Sequence, residues 1–284
     1  FGGPDWTHSV ALGDLDGNGT IDIVAGNAWQ QNAVYHNRSR LPERLANTTF
    51  QDTIVRSHVN LITVDEAHCI SQWGYDFRPT YLRIAEVKYL IPDAPVLALT
   101  ATATPKVVED IMHKLAFKKP NLFQASFERK NLSYNVMKEP DKTGKLIKLL
   151  SEERGSGIVY VRNRRKTREL ADILAKNQIS SVFYHAGLDA KTREERQKMW
   201  TNSRVRVMVA TNAFGMGIDK PDVRQIIHYD LPDCLESYFQ EAGRAGRDGK
   251  FSSGTLVFSS EDVTTAKKRL KESYPPIKHI RKIY

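Results

Sequence analysis

Apolar positions along the chain come in short runs separated by amphipathic stretches. Leu61–Val64, Val96–Leu99, Gly157–Val161, Val182–Tyr184, Val205–Ala210 and Ile226–Tyr229 are largely apolar and bounded by polar residues, as buried strands are. Between them Val108, Ile111, Met112 and Leu115 keep helical spacing, and Leu170, Ile173 and Leu174 share one helical face. Thr104-Pro105 predicts a helix start, with Thr as N-cap and Pro in the first turn. Strands alternating with helices predict parallel sheets covered on both faces. Ligands of such sheets sit at the carboxyl ends of the strands. Glu139–Gly144, with Pro140 and charged neighbours, reads as a linker between two α/β units.

Composition adds little that the pattern lacks. With 284 residues, 40% hydrophobic and 26% charged, the chain is globular rather than disordered, and its length suggests two domains. The apolar runs are too short to span a bilayer, and no signal-type segment opens the sequence. No membrane partner is expected. The first residue is Phe1, so the sequence reads as a fragment. Cys69 and Cys234 are the two cysteines, which excludes a disulfide framework and a four-cysteine zinc site. Charge is more informative. Residues 1–37 hold Asp5, Asp14, Asp16 and Asp22 and no Lys or Arg, whereas the whole chain is +9. The basic remainder suggests a polyanionic partner, nucleic acid above all.

The acidic segment has its own chemistry. Asp14, Asp16, Asn18 and Asp22 place oxygens at alternating positions, with Gly17 and Gly19 allowing a tight turn. Hard Ca²⁺ takes six to eight such oxygens. An EF-hand would need Glu at the twelfth loop position, which is Ala25. Val10–Leu12 and Ile21–Val24 flank the loop as strands. Residues 8–37 resemble one FG-GAP or VCBS repeat, the calcium-binding blade of integrin-like β-propellers. A lone blade cannot bury its apolar face.

In the basic body, polar motifs follow the predicted strands. Asp65-Glu66-Ala67-His68 comes directly after one. Paired acids there can divide nucleotide hydrolysis, one holding Mg²⁺ and the other orienting the attacking water. Ser71 to Pro79 interleaves Trp73 and Phe77 with Gln72, Asp76 and Arg78, as a surface that stacks on unpaired bases would. Thr100-Ala101-Thr102-Ala103 ends the next strand. Thr211 to Asp219 ends a later one, with Gly215 and Gly217 permitting close backbone approach. Gln240-Glu241-Ala242-Gly243-Arg244-Ala245-Gly246-Arg247 carries two arginines three apart, predicted on one helical face, a pair able to reach a phosphate.

In this order these motifs are similar to those of superfamily 2 helicases, and the resemblance is to the RecQ family. His68-Cys69-Ile70-Ser71-Gln72-Trp73-Gly74, Gly215 to Pro221 and Tyr238-Phe239-Gln240-Glu241 carry it most specifically. It covers about residues 41–284, starting at Pro42-Glu43-Arg44-Leu45, and the wording of Ile158–Arg164 looks bacterial. The resemblance implies an ATP- and Mg²⁺-dependent 3′–5′ DNA helicase of recombination and repair, acting on single-stranded or forked DNA, and, being the longer of the two, a cytoplasmic protein. It implies that Asp65 and Glu66 serve Mg²⁺ and water, and that Gln240, Arg244 and Arg247 face the γ-phosphate, with Arg247 as the finger. Thr100, Thr102, Gly217 and Asp219 would lie near the nucleotide. His68, Gln72, Trp73, Phe77, Arg78, His185 and Thr211 would meet or sense DNA.

The resemblance is broken in one place. No G-x-x-x-x-G-K-[ST] occurs in the sequence. Thr143-Gly144-Lys145-Leu146 lacks the first Gly and the final Ser or Thr. The expected fold is therefore α/β, with a truncated first RecA-like lobe over 38–140 and a complete second lobe over 141–260. A propeller-like hairpin over 1–37 precedes them and a helical extension over 261–284 follows. A fusion with its junction near Asn37–Leu41 is the simplest account. The chain alone is expected to hydrolyse ATP poorly, and removal of the opening strand should expose core. Two rival readings are a non-catalytic nucleic-acid- or partner-binding module and a calcium-dependent extracellular adhesion protein. Oligomeric state is not legible.

Overall fold

A computed structural model describes residues 7–13, 22–27, 33–35, 48–56, 59, 61–74, 76–101, 103–117, 121–215 and 218–273. It divides into two compact units, Phe1–Ser126 and Phe127–Tyr284.

The first unit holds β1 (Thr7–Gly13), β2 (Asp22–Asn27), β3 (Ala33–Tyr35), α1 (Thr48–Arg56), β4 (Ile62–Val64), α2 (Ile84–Leu90), β5 (Val96–Ala98) and α3 (Pro105–Lys114). Two 3₁₀ turns, Ala67–Ile70 and Pro79–Arg83, lie between β4 and α2. The sheet order is β3-β2-β1-β4-β5. β1 and β2 form the expected antiparallel pair, but β1 also runs parallel to β4, with Leu12 opposite Val64. The segment read as a separate domain is thus part of this sheet. The physical reason is the edge of β4: its unpaired N–H and C=O groups need partners, and β1 supplies them. The apolar exposure expected there falls instead on the other edge, at β5, where Leu97 is 43% and Leu99 44% exposed. Ile62 and Val64 point into a core with Ile70, Tyr81, Ile84, Val107 and Ile111. α3 begins as the sequence indicates: Pro105 is in its first turn and the Thr104 hydroxyl accepts the Val107 N–H at 3.4 Å.

The second unit contains β6 (Leu132–Lys138), α4 (Lys142–Glu152), β7 (Ser156–Tyr160), α5 (Arg164–Lys176), β8 (Ser181–Tyr184), α6 (Ala190–Thr201), β9 (Val207–Ala210), β10 (Val223–His228), α7 (Leu235–Ala242), β11 (Ser252–Phe258) and α8 (Ser260–Ser273). Its six-stranded sheet has the order β6-β11-β10-β7-β9-β8, and each pairing is parallel. Successive strand residues alternate faces, so the sheet has two cores. Val159, Val207, Val209 and Ile227 meet Leu146 and Leu150 of α4 and Leu170 and Leu174 of α5. Ile158, Tyr160, Met208, Ala210 and Ile226 cluster with Trp200 of α6 and Phe214.

Two expectations are corrected here. The unit boundary lies at Ser126/Phe127, not near residue 140, because β6 pairs with β11 along its whole length. Glu139–Gly144 is not a linker between units. The Glu139 N–H donates to the Phe258 carbonyl, and Asp141 caps α4 by accepting the Gly144 N–H at 2.9 Å. Thr143-Gly144-Lys145 is accordingly the first turn of a helix, its free N–H already taken by a side chain.

Candidate nucleotide and nucleic-acid site

In the first unit the chemistry collects at the carboxyl ends of β4 and β5. Asp65 is exposed, and its Oδ1 accepts the Glu66 N–H at 2.8 Å. Glu66 sits at φ 48°, ψ 42°, a left-handed conformation that is unfavourable for a residue with a Cβ and concentrates at functional sites. The turn is pinned from the next strand: Ala67 N–H donates to the Leu99 carbonyl at 2.9 Å, and Leu99 N–H to the Val64 carbonyl at 2.8 Å. His68 is buried, with Nδ1 at 3.0 Å from the Thr100 hydroxyl and 3.3 Å from Glu66 Oε2. Burial lowers its pKa, with Arg78 acting the same way against Asp76 and Asp65, so the imidazole is neutral where it bridges the acid motif to the Thr100 strand end.

The next shell runs outward through Asp76. Arg78 Nε and Nη2 donate to Asp76 Oδ2 at 3.1 and 2.8 Å. Cys69 Sγ lies 3.8 Å from the same oxygen and 3.6 Å from His68 Nε2. His68, Cys69 and Asp76 are the group of three metal-capable side chains found among the described residues, their ligand atoms within 4.8 Å. Burial and then Asp76 push the Cys69 thiol up to about 12, and Asp76 is committed to Arg78. The trio is a hydrogen-bonded support for the aromatic loop. On that loop Trp73 is 63% exposed. Lys106 Nζ lies 3.2 Å from its ring centroid, and Lys114 Nζ 5.9 Å from that of Phe77. Gln72 is exposed beside Trp73.

In the second unit the helical-face expectation for the arginines is corrected. α7 ends at Ala242 with Gly243 as its C-cap, so Arg244 and Arg247 lie beyond it in consecutive turns. Arg244 is buried and its Nη1 donates to the Gly215 carbonyl. Arg247 Nη1 donates to the Ile218 carbonyl at 3.2 Å and Asp219 Oδ1 at 3.0 Å. The structure therefore joins two motifs about thirty residues apart through the pairs Arg244–Gly215 and Arg247–Asp219. Gln240 is half-buried one turn earlier on α7. Glu241 holds His228, at the end of β10, at 2.7 Å. Thr211 is buried, its N–H on the Tyr184 carbonyl at 3.2 Å. His185 stacks on Phe183, and desolvation, then Arg164 and Arg196, lower its pKa. These two stand at the ends of β8 and β9, apart from the arginine turns in sequence.

Sequence reasoning missed the residues that hold those turns. Arg129 Nη2 donates to the Gly246 carbonyl at 2.6 Å and the Ala245 carbonyl at 3.1 Å, and its Nη1 to the Gly243 carbonyl at 3.1 Å. Asn131 Nδ2 donates to the Gly246 and Lys250 carbonyls at 2.7 and 2.9 Å. Gly246 has φ +60°, and a Cβ there would lie 2.7 Å from both Asn131 Nδ2 and Ser252 Oγ, so glycine is required. Thr102, Gly217, Tyr75, the 42–45 element, residues 274–284 and the loop with Asp14, Asp16 and Asn18 lie outside the described residues. Asp22 begins β2.

Residues 27–111 match the family model of the DEAD/DEAH box helicases, and residues 141–249 match that of the helicase conserved C-terminal domain. The chain carries both helicase domains. The first match reaches into the segment whose composition suggested a calcium repeat. The ATP-dependent DNA helicase RecQ of Bacillus subtilis is 42% identical over 82% of this chain and 40% of its own length. The RecQ-like DNA helicase BLM of Xenopus laevis is 42% identical over 79% of this chain and 17% of its own. The chain thus spans well under half the length of these relatives. Among solved structures, Dbp5 of S. cerevisiae bound to RNA and ADP BeF3 superposes with a TM-score of 0.60 at 20% identity, over 80% of this chain and 61% of that one. It shows the fold alone: a parallel-sheet α/β helicase fold of RecA-like type. Among the described residues no helix is long and apolar enough to cross a membrane.

Proposed function

We propose that this chain derives from an ATP-dependent 3′–5′ DNA helicase of the RecQ type, acting on single-stranded or forked DNA in recombination and repair in the cytoplasm. The observation that carries the reading is the pinned turn at Asp65-Glu66, bridged by His68 to Thr100 and backed by an exposed aromatic-cationic loop. Asp65, an exposed carboxylate at a strand end, suits a hard cation such as Mg²⁺, and Glu66 would orient water. Bound Mg²⁺ would neutralise charge on the phosphates. Arg244 and Arg247 would supply cationic stabilisation of the γ-phosphate, Asp219 holding Arg247 until substrate arrives. Gln240, Thr100, Thr102 and Gly217 would complete the nucleotide contacts. His68, Gln72, Trp73, Phe77, Arg78, His185 and Thr211 would meet or sense DNA.

The sequence given contains no phosphate-cradling Gly-rich loop with its Lys. We therefore propose that a polypeptide of this sequence binds nucleic acid without turnover. The test is phosphate release from Mg-ATP with and without single-stranded DNA, with Glu66→Gln as control, beside a binding titration. The expected result is salt-dependent DNA binding and no DNA-stimulated release. Release that is lost in Glu66→Gln would overturn the non-catalytic reading. A subordinate proposal is Ca²⁺ binding by Asp14, Asp16, Asn18 and Asp22, favoured by the antiparallel register that sets Gly13 opposite Asp22 at the hairpin end. Calorimetry showing no heat at millimolar calcium would remove it.

A further inference from the structure

We infer that Lys106, on α3, is a phosphate contact of the aromatic loop and covers the stacking face of Trp73 until a base displaces it. The inference rests on the reading of that loop as a single-strand surface. No motif in the sequence includes Lys106. It is exposed in the first turn of α3, and its ammonium stands 3.2 Å over the Trp73 ring. The ring is 63% exposed, so its neighbours do not consume it as core. Two turns further along the same helix Lys114 addresses the Phe77 ring at 5.9 Å and Asp110 at 3.6 Å. α3 thus sets two cations against two of the aromatic residues of one loop, Trp73 and Phe77. Asp110 neutralises the second of them.

The physics of the exchange follows from the two partners of the ring. A cation over an exposed aromatic ring is held weakly, whereas a base stacked on the same ring is held more strongly. An incoming single strand takes the ring, and the ammonium, on a flexible four-carbon stem, is released beside the phosphates of the nucleotide that displaced it. Each phosphate so neutralised on a single strand adds about 0.7 to the salt dependence of log K.

The probe is a dye-labelled oligothymidylate, titrated by anisotropy across a range of KCl, with Trp73 fluorescence followed in parallel. Lys106→Ala is expected to lower the salt slope by about 0.7 and to weaken binding about fivefold at 0.1 M salt. Lys106→Arg should restore both, and saturating DNA should still quench Trp73 in Lys106→Ala. If Trp73→Ala weakens binding while Lys106→Ala leaves slope and affinity at wild-type values, the inference is wrong and the loop reading stands. If Trp73→Ala binds as wild type does, or the wild-type chain does not bind the oligonucleotide, the loop reading fails and this inference falls with it. Because Lys106 is exposed, its variants should melt with the parent. Lys106→Glu, which should weaken binding more than Lys106→Ala, separates a charge effect from a packing one.

Discussion

Replacing Lys142 by Met should loosen the second unit at the end of the strand that leads to the arginine turns. Lys142 is 8% exposed. Its Nζ donates to the Tyr229 carbonyl at 2.5 Å and Asp262 Oδ2 at 2.8 Å, and lies 3.5 Å from Asp230 Oδ1. It therefore ties α4 to the residues after β10 and to α8. Met keeps most of the stem and deletes the charge, leaving two acids with 14% and 21% of their side chains exposed. Removing one partner of a buried ion pair costs about 3–5 kcal/mol. Here Lys166 remains 3.3 Å from Asp230, and the Ser259 N–H and hydroxyl still hold Asp262, so the lower end, about 3 kcal/mol, is expected. The assay is urea unfolding reported by Trp200, with Trp6, Trp29 and Trp73 replaced by Phe in the parent. Acid sharpens the test. Burial works to raise the Asp262 pKa, but its bonds to Lys142 and Ser259 outweigh that and hold it below the ordinary 3.8. A depressed carboxylate contributes its stability fully above 3.8 and loses it as pH falls through the folded value. The gap between parent and Lys142→Met should therefore be full near neutrality and narrow below that point. An unchanged urea midpoint, or a gap that widens in acid, would refute the assignment.

Three further outcomes follow from the site. Gly246→Ala should lose about 1–3 kcal/mol, through its positive φ and the crowding by Asn131 and Ser252, measured by the same urea transition. A urea midpoint equal to the parent's would sink the tight-turn argument. Glu66→Gly should stay within about 1 kcal/mol of the parent because glycine relaxes φ 48°, whereas β-branched Glu66→Val should lose more than that. Thermal melts of the two variants decide, and equal losses would contradict it. In thiol titration of the native chain Cys234 should react and Cys69, buried and pushed up to about 12, should not until denaturant is added. Two fast thiols in the native chain would mean the Cys69 site is open.

What the sequence revealed of the fold depended on how local each cause was. The runs at 157–161 and 205–210 are buried on both faces, so they read as strands without ambiguity. Thr104-Pro105 is a cap whose whole mechanism spans four residues. β6 was harder: on this edge strand Tyr134 and Val136 are exposed while Ser133 and Asn135 are half-buried, and its membership is decided by pairing with β11, more than a hundred residues away. The boundary was misplaced for the same reason. The pairing of β1 with β4 was hidden too, since a composition break marks a change of surface chemistry and says nothing of which sheet edge a strand will fill.

The site divides along the same line. Asp65, Glu66, His68 and Thr100 were legible because each lies within a few residues of a strand end, where parallel-sheet chemistry collects. Arg244 and Arg247 were legible as cations but not as geometry. Gly243 caps the helix between them and Gln240, so the spacing of three that suggests a helical face instead feeds two turns, each arginine seeking a different carbonyl. Arg129 left no direct trace. Its partners in the turns are three backbone carbonyls, which every residue type carries, so no choice of side chain at 243, 245 or 246 announces it. The trace in the sequence is indirect: Gly246 must be glycine because Asn131 and Ser252 crowd its Cβ position. The glycine of a charged motif thus records the clamp that holds the motif, and its replacement tests the clamp and the turn together.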